Sequence, residues 1–570
     1  FYLAAKDGRL KSYTALQWHI THPLSKAVGS VTSLMTEPIR NYIKDRAIPV
    51  LENPYSDMVA EVRLGNGLSL FEKDFLKKRQ AKVKNTLELV LGMSLEEKTV
   101  PQIAVVASGG GYRAALVTLG FFLGFEKLGL VDAITYAACL SGSTWMIGPW
   151  IASGRALVEY APDLRKNLGQ SLSDISKNEM VMMMNSLLVK LAFDQPITFV
   201  DLYGLVLGNK LLSYFGIDRY RTYLSDQRER VANGDWFLPL YTSVEGRASV
   251  RWDTPWFEFN PYEIGSADYE AYIPSWSFGR KFVDGESVDF APEQPFSFEL
   301  GTFGSAFAAS VDFIWQEIES SVANPILKAA IENVLVEYAG GHRVSSAKVY
   351  NFLAGVSGDL AEEAEVPAGY FPRSASPTSY LRSQKYIELI DGGLGHTNLP
   401  YPVVSGMRPE RRPDILIFVD GSAGITGASE LRKAEEFARN YGLDFPVINY
   451  EGIDKRTISV FKDEENPAVP VVIYLPRYND QALVAQFVEG SPETGMPGQA
   501  GMEQFSRLKY FDVDACVSKE FCSTYNLQWK AEDAQQMSDV LEFNVQVNGQ
   551  AILDAIKWTV ENHMPRTWGQ

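Results

Sequence analysis

Apolar and polar positions change their rhythm partway along the chain. Through residues 12–48 they recur with a roughly helical period, broken at Pro23, Pro38 and Pro49. Residues 72–91 predict one amphipathic helix that ends near Gly92. Beyond it come short, mainly apolar runs, many leading through glycine-containing turns into helical stretches: residues 103–107, 134–140, 349–353, 387–390, 415–419 and 471–475. Several are rich in Ile and Val and apolar on both faces, as buried, mostly parallel strands are. The alternation predicts a three-layer α/β/α core around a central, mostly parallel sheet. No internal repeat interrupts it, and the Gly/Pro-rich stretch 490–501 reads as an exposed loop.

Composition narrows the function classes. Of 570 residues, 46% are hydrophobic and 22% charged, as in an ordinary globular protein. A net charge of -17 argues against nucleic acid as a partner, because phosphate binding needs a basic footprint. The charge is uneven: residues 1–50 hold seven Lys/Arg against three Asp/Glu, and a second basic cluster follows at Lys77, Lys78, Arg79, Lys82 and Lys84. These clusters are either solvated helix faces or contacts to an anionic membrane. Cys139, Cys516 and Cys522 are too few for a disulfide framework, and no Asn-x-Ser/Thr sequon occurs, which points to a reducing compartment. The longest apolar run, 114–125, is too short to span a bilayer.

Three motifs carry chemistry. Ala-Ser-Gly-Gly-Gly-Tyr-Arg, residues 107–113, follows a strand and opens a helix. Consecutive glycines and a helix N-terminus present amide donors to an anion, whether a phosphate or an oxyanion. The loop lacks the Gly-Lys-Ser/Thr ending of a P-loop and the Gly-x-Gly-x-x-Gly spacing of a dinucleotide turn. Cys139-Leu140-Ser141-Gly142-Ser143 has the strand–Ser–helix order of a nucleophile elbow, with small residues two places either side of Ser141. Ile390-Asp391-Gly392-Gly393 ends another apolar run, where an aspartate could act as base. Asp420 occupies an equivalent place in Val419-Asp420-Gly421, and His396 would complete a Ser…Asp…His order. Local pattern leaves the base open among these three.

Taken together, Ser-Gly-Gly-Gly-Tyr-Arg-Ala, Leu-Ser-Gly-Ser-Thr-Trp and Asp-Gly-Gly-Leu followed by Asn-Leu-Pro-Tyr-Pro resemble the catalytic domain of the cytosolic (group IV) phospholipases A2, relatives of fungal phospholipase B. The likeness continues in order through residues 196–208, 239–243, 256–265, 278–282, 301–307 and 521–526. It implies a patatin-like α/β fold with a Ser–Asp dyad: Ser141 as nucleophile, Asp391 as base, the amides of Gly110 and Gly111 as oxyanion hole, and Arg113 steadying the substrate phosphate. It further implies a phospholipid or lysophospholipid substrate met at a membrane surface, calcium-independent catalysis without a cofactor, and a cytoplasmic, peripherally membrane-bound enzyme. Acyl transfer from the same acyl-serine, or lipid binding by a dead site, are the alternatives. The expected organisation is an N-terminal helical extension over 1–67 and a catalytic domain over 68–570, with a lid or cap insertion around 155–300. A Met-rich stretch beginning at Met180 either lines a lipid channel or is plain core. Cys139 stands where the family usually has glycine, and no C2-like carboxylate loops are visible in residues 1–70.

Overall fold

The apolar runs form a twelve-stranded sheet among the described residues. The computed structural model describes residues 53–246, 254–311, 328–329, 331–332, 334, 346–356, 384–491, 496–513, 520–562 and 568. In chain order the strands are β1 (Arg63–Leu64), β2 (Ile103–Ala107), β3 (Tyr136–Leu140), β4 (Leu238–Glu245), β5 (Trp256–Phe259), β6 (Glu263–Ser266), β7 (Ala271–Pro274), β8 (Ala347–Tyr350), β9 (Tyr386–Asp391), β10 (Ile415–Asp420), β11 (Ser459–Phe461) and β12 (Val471–Pro476). The main helices are α1 (Leu70–Leu91), α2 (Gly111–Lys127), α3 (Gly142–Ser153), α4 (Lys177–Ala192), α5 (Phe199–Leu211), α6 (Phe296–Phe303), α7 (Ser429–Asn440) and α8 (Ala531–Val547).

At the centre β4, β3, β2, β10 and β12 lie side by side and parallel. Every residue of these five strands is buried. Because successive strand residues face opposite sides, both faces of the sheet are covered, which is the three-layer arrangement. Antiparallel strands extend the sheet beyond β4, through β5, β6, β7 and β1, and beyond β12 through β11. The run at 387–390 also departs from the parallel expectation, since β9 pairs antiparallel with both β4 and β8. Helix α2 is buried along almost its whole length and takes α8 against it. A Cβ on Gly120 would run into the Ser538 backbone carbonyl, so only glycine permits this approach.

The extension expected over 1–67 falls mostly outside the described residues. Within 155–300, helices such as α4 and α5 precede β4 to β7, which belong to the main sheet. Met182, Met183 and Met184 of α4 are buried. No described helix is long and apolar enough to cross a membrane.

The basic cluster on α1 is partly taken up by partners within the fold, with Lys77 left exposed. Arg79 is fully buried and donates to the carbonyls of Ile134, Gly234 and Asp235. Lys78, Lys82 and Lys84 pair with Asp74, Asp132 and Glu88. The cysteine reading also needs correction. Cys139 is free, but Cys522 is disulfide-bonded, so cysteine usage gives no support to a reducing compartment.

Helix α1 is fastened to the sheet by charges that its amphipathic pattern does not reveal. Arg411 donates to both carboxylate oxygens of Glu72, at 2.8 and 2.7 Å, and to Glu258 at 2.5 Å. Arg408 donates to Glu258 at 2.5 Å and Glu263 at 2.9 Å, and Tyr136 donates to Glu72 at 3.0 Å. All these groups are buried. Such a network adds little over a hydrophobic equivalent but is costly to break, because the remaining charges cannot reach water. Arg411→Met is therefore expected to cost about 3–5 kcal/mol in urea unfolding, through the carboxylates of Glu72 and Glu258 that it strands.

Candidate active site

The site lies where β2, β3 and β9 end. Strand β3 pairs with β4 as far as Leu140 opposite Thr242. On the same edge of β4, and running the other way, β9 ends with Asp391 opposite Ser243. The two strands thus meet end to end on consecutive residues of β4. Ser141 Oγ donates to Asp391 Oδ2 at 2.8 Å, and both residues are buried.

Ser141 occupies a strained turn, with φ 51° and ψ −114°, a region that a non-glycine residue adopts only when its surroundings enforce it. The next residue, Gly142, has no room for a Cβ, which would strike the Gly111 carbonyl oxygen. Ser143 clamps the turn: its hydroxyl contacts the carbonyls of Ala107 and Leu140, both at 2.9 Å, and receives the Leu140 amide at 2.8 Å. Cys139 is accommodated in the core with its sulfur 3.5 Å from the Ala137 carbonyl, and the Ser141–Asp391 contact forms in its presence.

The glycine loop presses against this elbow. Gly110 (φ 135°) and Gly111 (φ 62°) adopt conformations that L side chains avoid, and a Cβ on Gly109 would lie 3.1 Å from that of Ser141. Helix α2 starts here, so its first amides have no intrahelical acceptor. Asn398 ties the loop down. It donates to the Gly109 carbonyl at 3.0 Å and to Ser422 at 2.7 Å, and its own carbonyl accepts from the Gly109 amide at 3.2 Å.

Arg113 is buried beneath the loop and donates to the carbonyls of Gly421 (2.9 Å) and Cys522 (2.8 Å). Its Nη2 has no partner among the described residues and lies close to Gly110, where an added Cβ would be 2.7 Å away. Burial, together with the nearby Arg477 charge and against the pull of Asp420, lowers its pKa to about 9.

Asp391 is held on every side. Its Oδ1 accepts the Gly393 amide at 2.8 Å, and its own amide donates to Ser305 Oγ at 2.8 Å. Burial raises its pKa to about 7, even though hydrogen bonds from Gly393, Ser141 and Ala306 favour the carboxylate. The rival bases go elsewhere. Asp420 ends β10, which β2 separates from β3; it accepts from the Ser422 amide at 3.0 Å and from Tyr474 at 2.8 Å. His396 has its Nε2 3.4 Å from the Glu436 carboxylate on α7.

Ser305 and Asn398 are supporting residues that motif reading did not single out, and Ser143 enters it only as a small residue of the elbow. Each lies inside or beside a quoted motif, so position was a usable signal, but the partners of Ser305 and Asn398 are remote in sequence.

A family profile describing a lysophospholipase catalytic domain matches residues 103–454 of this chain. The chain belongs to that family. Mouse cytosolic phospholipase A2 zeta is 28% identical over 477 residues, covering 74% of this chain and 54% of the relative. Human cytosolic phospholipase A2 epsilon is 27% identical over 554 residues, covering 88% and 61% respectively. The chain thus spans little more than half the length of the curated relatives it matches. Among solved structures, human GIVD cytosolic phospholipase A2 superposes with a TM-score of 0.71 at 24% identity, over 88% of this chain and 68% of that one. The same enzyme in complex with methyl gamma-linolenyl fluorophosphonate gives 0.65 at 25% identity, over 88% and 66%. The group IV catalytic-domain fold expected from the motifs is therefore the fold of this lysophospholipase-family chain.

The Asp391 environment has a consequence for stability. Its titration moves from 3.8 unfolded to about 7 folded, which corresponds to about 4 kcal/mol. The folded state binds this proton more tightly, so the penalty is absent below about pH 4, grows as pH rises and is complete above about pH 7. Asp391→Asn should accordingly unfold at higher denaturant than wild type at pH 8, by about 2–4 kcal/mol, with the advantage vanishing near pH 4.

Proposed function

We propose that this chain hydrolyses fatty acyl esters of phospholipids or lysophospholipids through an acyl-serine intermediate. The observation that carries the proposal is the 2.8 Å hydrogen bond from Ser141 to a buried Asp391 beside a helix-opening glycine loop. A serine hydroxyl is a weak nucleophile, and an ordinary carboxylate is a weak base towards it. Burial narrows that gap by lifting Asp391 to about 7 while leaving much of it ionised at neutral pH.

In the first step Asp391 takes the Ser141 proton as Oγ attacks the acyl carbonyl. Negative charge develops on the former carbonyl oxygen, where the amides of Gly110 and Gly111 are the proposed donors. The proton then passes from Asp391 to the departing alkoxide, releasing the deacylated lipid. Water, deprotonated by Asp391, attacks the acyl-serine, and the fatty acid leaves as Ser141 recovers its proton. Arg113 supports a phosphate-bearing substrate through Nη2, the guanidinium nitrogen left without a partner among the described residues next to Gly110. No step invokes calcium. Substrate uptake at a membrane surface completes the proposal.

Ser141→Ala is expected to reduce fatty-acid release from phospholipid vesicles by roughly 10⁴-fold or more. A fluorophosphonate probe should label the wild type at Ser141 and leave that variant unlabelled. Undiminished hydrolysis by Ser141→Ala would end the proposal. Because Asp391 acts deprotonated, kcat/KM measured with a calcium chelator present should fall tenfold per pH unit below about 7 and level off above it.

A further inference from the structure

Helices α2 and α3 bring their N-termini to Ser141, and at the far end of α2 there is a second cavity. It has a volume of about 320 Å³ and opens at the N-terminal ends of β3 and β4. The 17 residues of α2 separate it from the glycine loop by about 25 Å.

Its walls combine aromatic rings with carboxylates. Trp150 and Trp236 lie 5.1 Å apart between centroids at 59°, and Trp150 and Phe237 lie 5.9 Å apart at 51°. Glu126, Asp132 and Asp235 add three acidic groups. The two arginines present are already committed. Arg79 spends its N–H groups on the carbonyls of Ile134, Gly234 and Asp235, and Arg155 donates to Asp163 at 2.6 Å and to the Glu159 carbonyl at 2.7 Å. Neither guanidinium is left to fork a phosphate. Lys82 pairs with Asp132 at 3.2 Å and the buried Arg79 charge faces both Asp132 and Asp235, whereas Glu126 forms no salt bridge with any described residue. Burial holds the Glu126 carboxyl above its ordinary titration, with exposed Lys127 pulling the other way. The C-terminal end of α2, which supplies Glu126 and Gly129 to the lining, adds a partial negative charge.

An aromatic face beside an unpaired carboxylate selects a cation that is also apolar, because the ring attracts charge while rewarding desolvation. We propose that this cavity is a binding site for a small quaternary ammonium group, held against Trp236 and countered by Glu126. It is separate from the proposed hydrolytic site and does not depend on that reading. The group could arrive free, as choline, or on a lipid headgroup.

Isothermal titration of the full chain with choline chloride, against sodium chloride at equal ionic strength, tests the site. Saturable binding is expected, weakened roughly tenfold by Glu126→Gln and by Trp236→Leu, with each variant's melting curve checked to show that it is folded. Ser141→Ala should bind choline like wild type; loss of binding in that variant would place the cation at the hydrolytic site and overturn the inference. Phosphatidylcholine vesicles that compete with choline, where phosphatidylglycerol vesicles do not, would identify a headgroup as the source. Competition by neither leaves free ammonium as the ligand. Absence of saturable binding, equal affinity in folded Glu126→Gln and Trp236→Leu, or preference for inorganic phosphate would each refute the site.

Discussion

Two strand-to-helix turns meet in this protein with nothing but backbone between them. The Gly142 Cα lies against the Gly111 carbonyl, and no side chain larger than hydrogen fits the gap. That contact sets the distance between the turn carrying Ser141 and the turn carrying the glycine loop. It holds only because the strands behind it, β2 and β3, are neighbours in parallel register, and because Ser143 and Asn398 fasten the two turns to surrounding backbone. The strain at Ser141 is maintained by the same clamp.

Against that rigid frame Asp391 is placed at an electrostatic disadvantage, as buried Glu293 and Glu299 are elsewhere in the fold. It has no cationic partner, and its hydrogen bonds only partly offset burial. Some buried carboxylates are treated differently: Glu72 and Glu258 are met by Arg411 and Arg408 at 2.5–2.8 Å. An arginine beside Asp391 would stabilise the fold and weaken the base, so the same physics that anchors α1 would disable a dyad.

How much of this could be read in the sequence depends on range. Strand cores at 103–107, 415–419 and 471–475 were legible because a strand buried on both faces leaves a continuous apolar run. Ser141 was legible because the elbow is local. The choice between Asp391, Asp420 and His396 was not, since it rests on which strand β4 accepts at Ser243, a pairing across more than a hundred residues. The basic cluster on α1 misled for the same reason: Arg79 reads as surface charge until the carbonyls of Gly234 and Asp235 arrive from another part of the chain. Cys522 shows the limit of counting, because three cysteines exclude a framework but not one bridge.

The two ends of α2 differ in what they can do. At its start the helix offers amides to an anion; at its finish it offers a partial negative charge, Glu126 and nearby indoles to a cation. A rod joining two sites invites the idea that one controls the other. Coupling requires that a ligand favour one of two arrangements of that rod. Helix α2 has little freedom to take a second arrangement, because Gly120 sits against the Ser538 carbonyl and Gly111 against Gly142. A cation bound at the far end would therefore fix where the protein sits relative to a ligand or surface, and leave the geometry around Ser141 as it is.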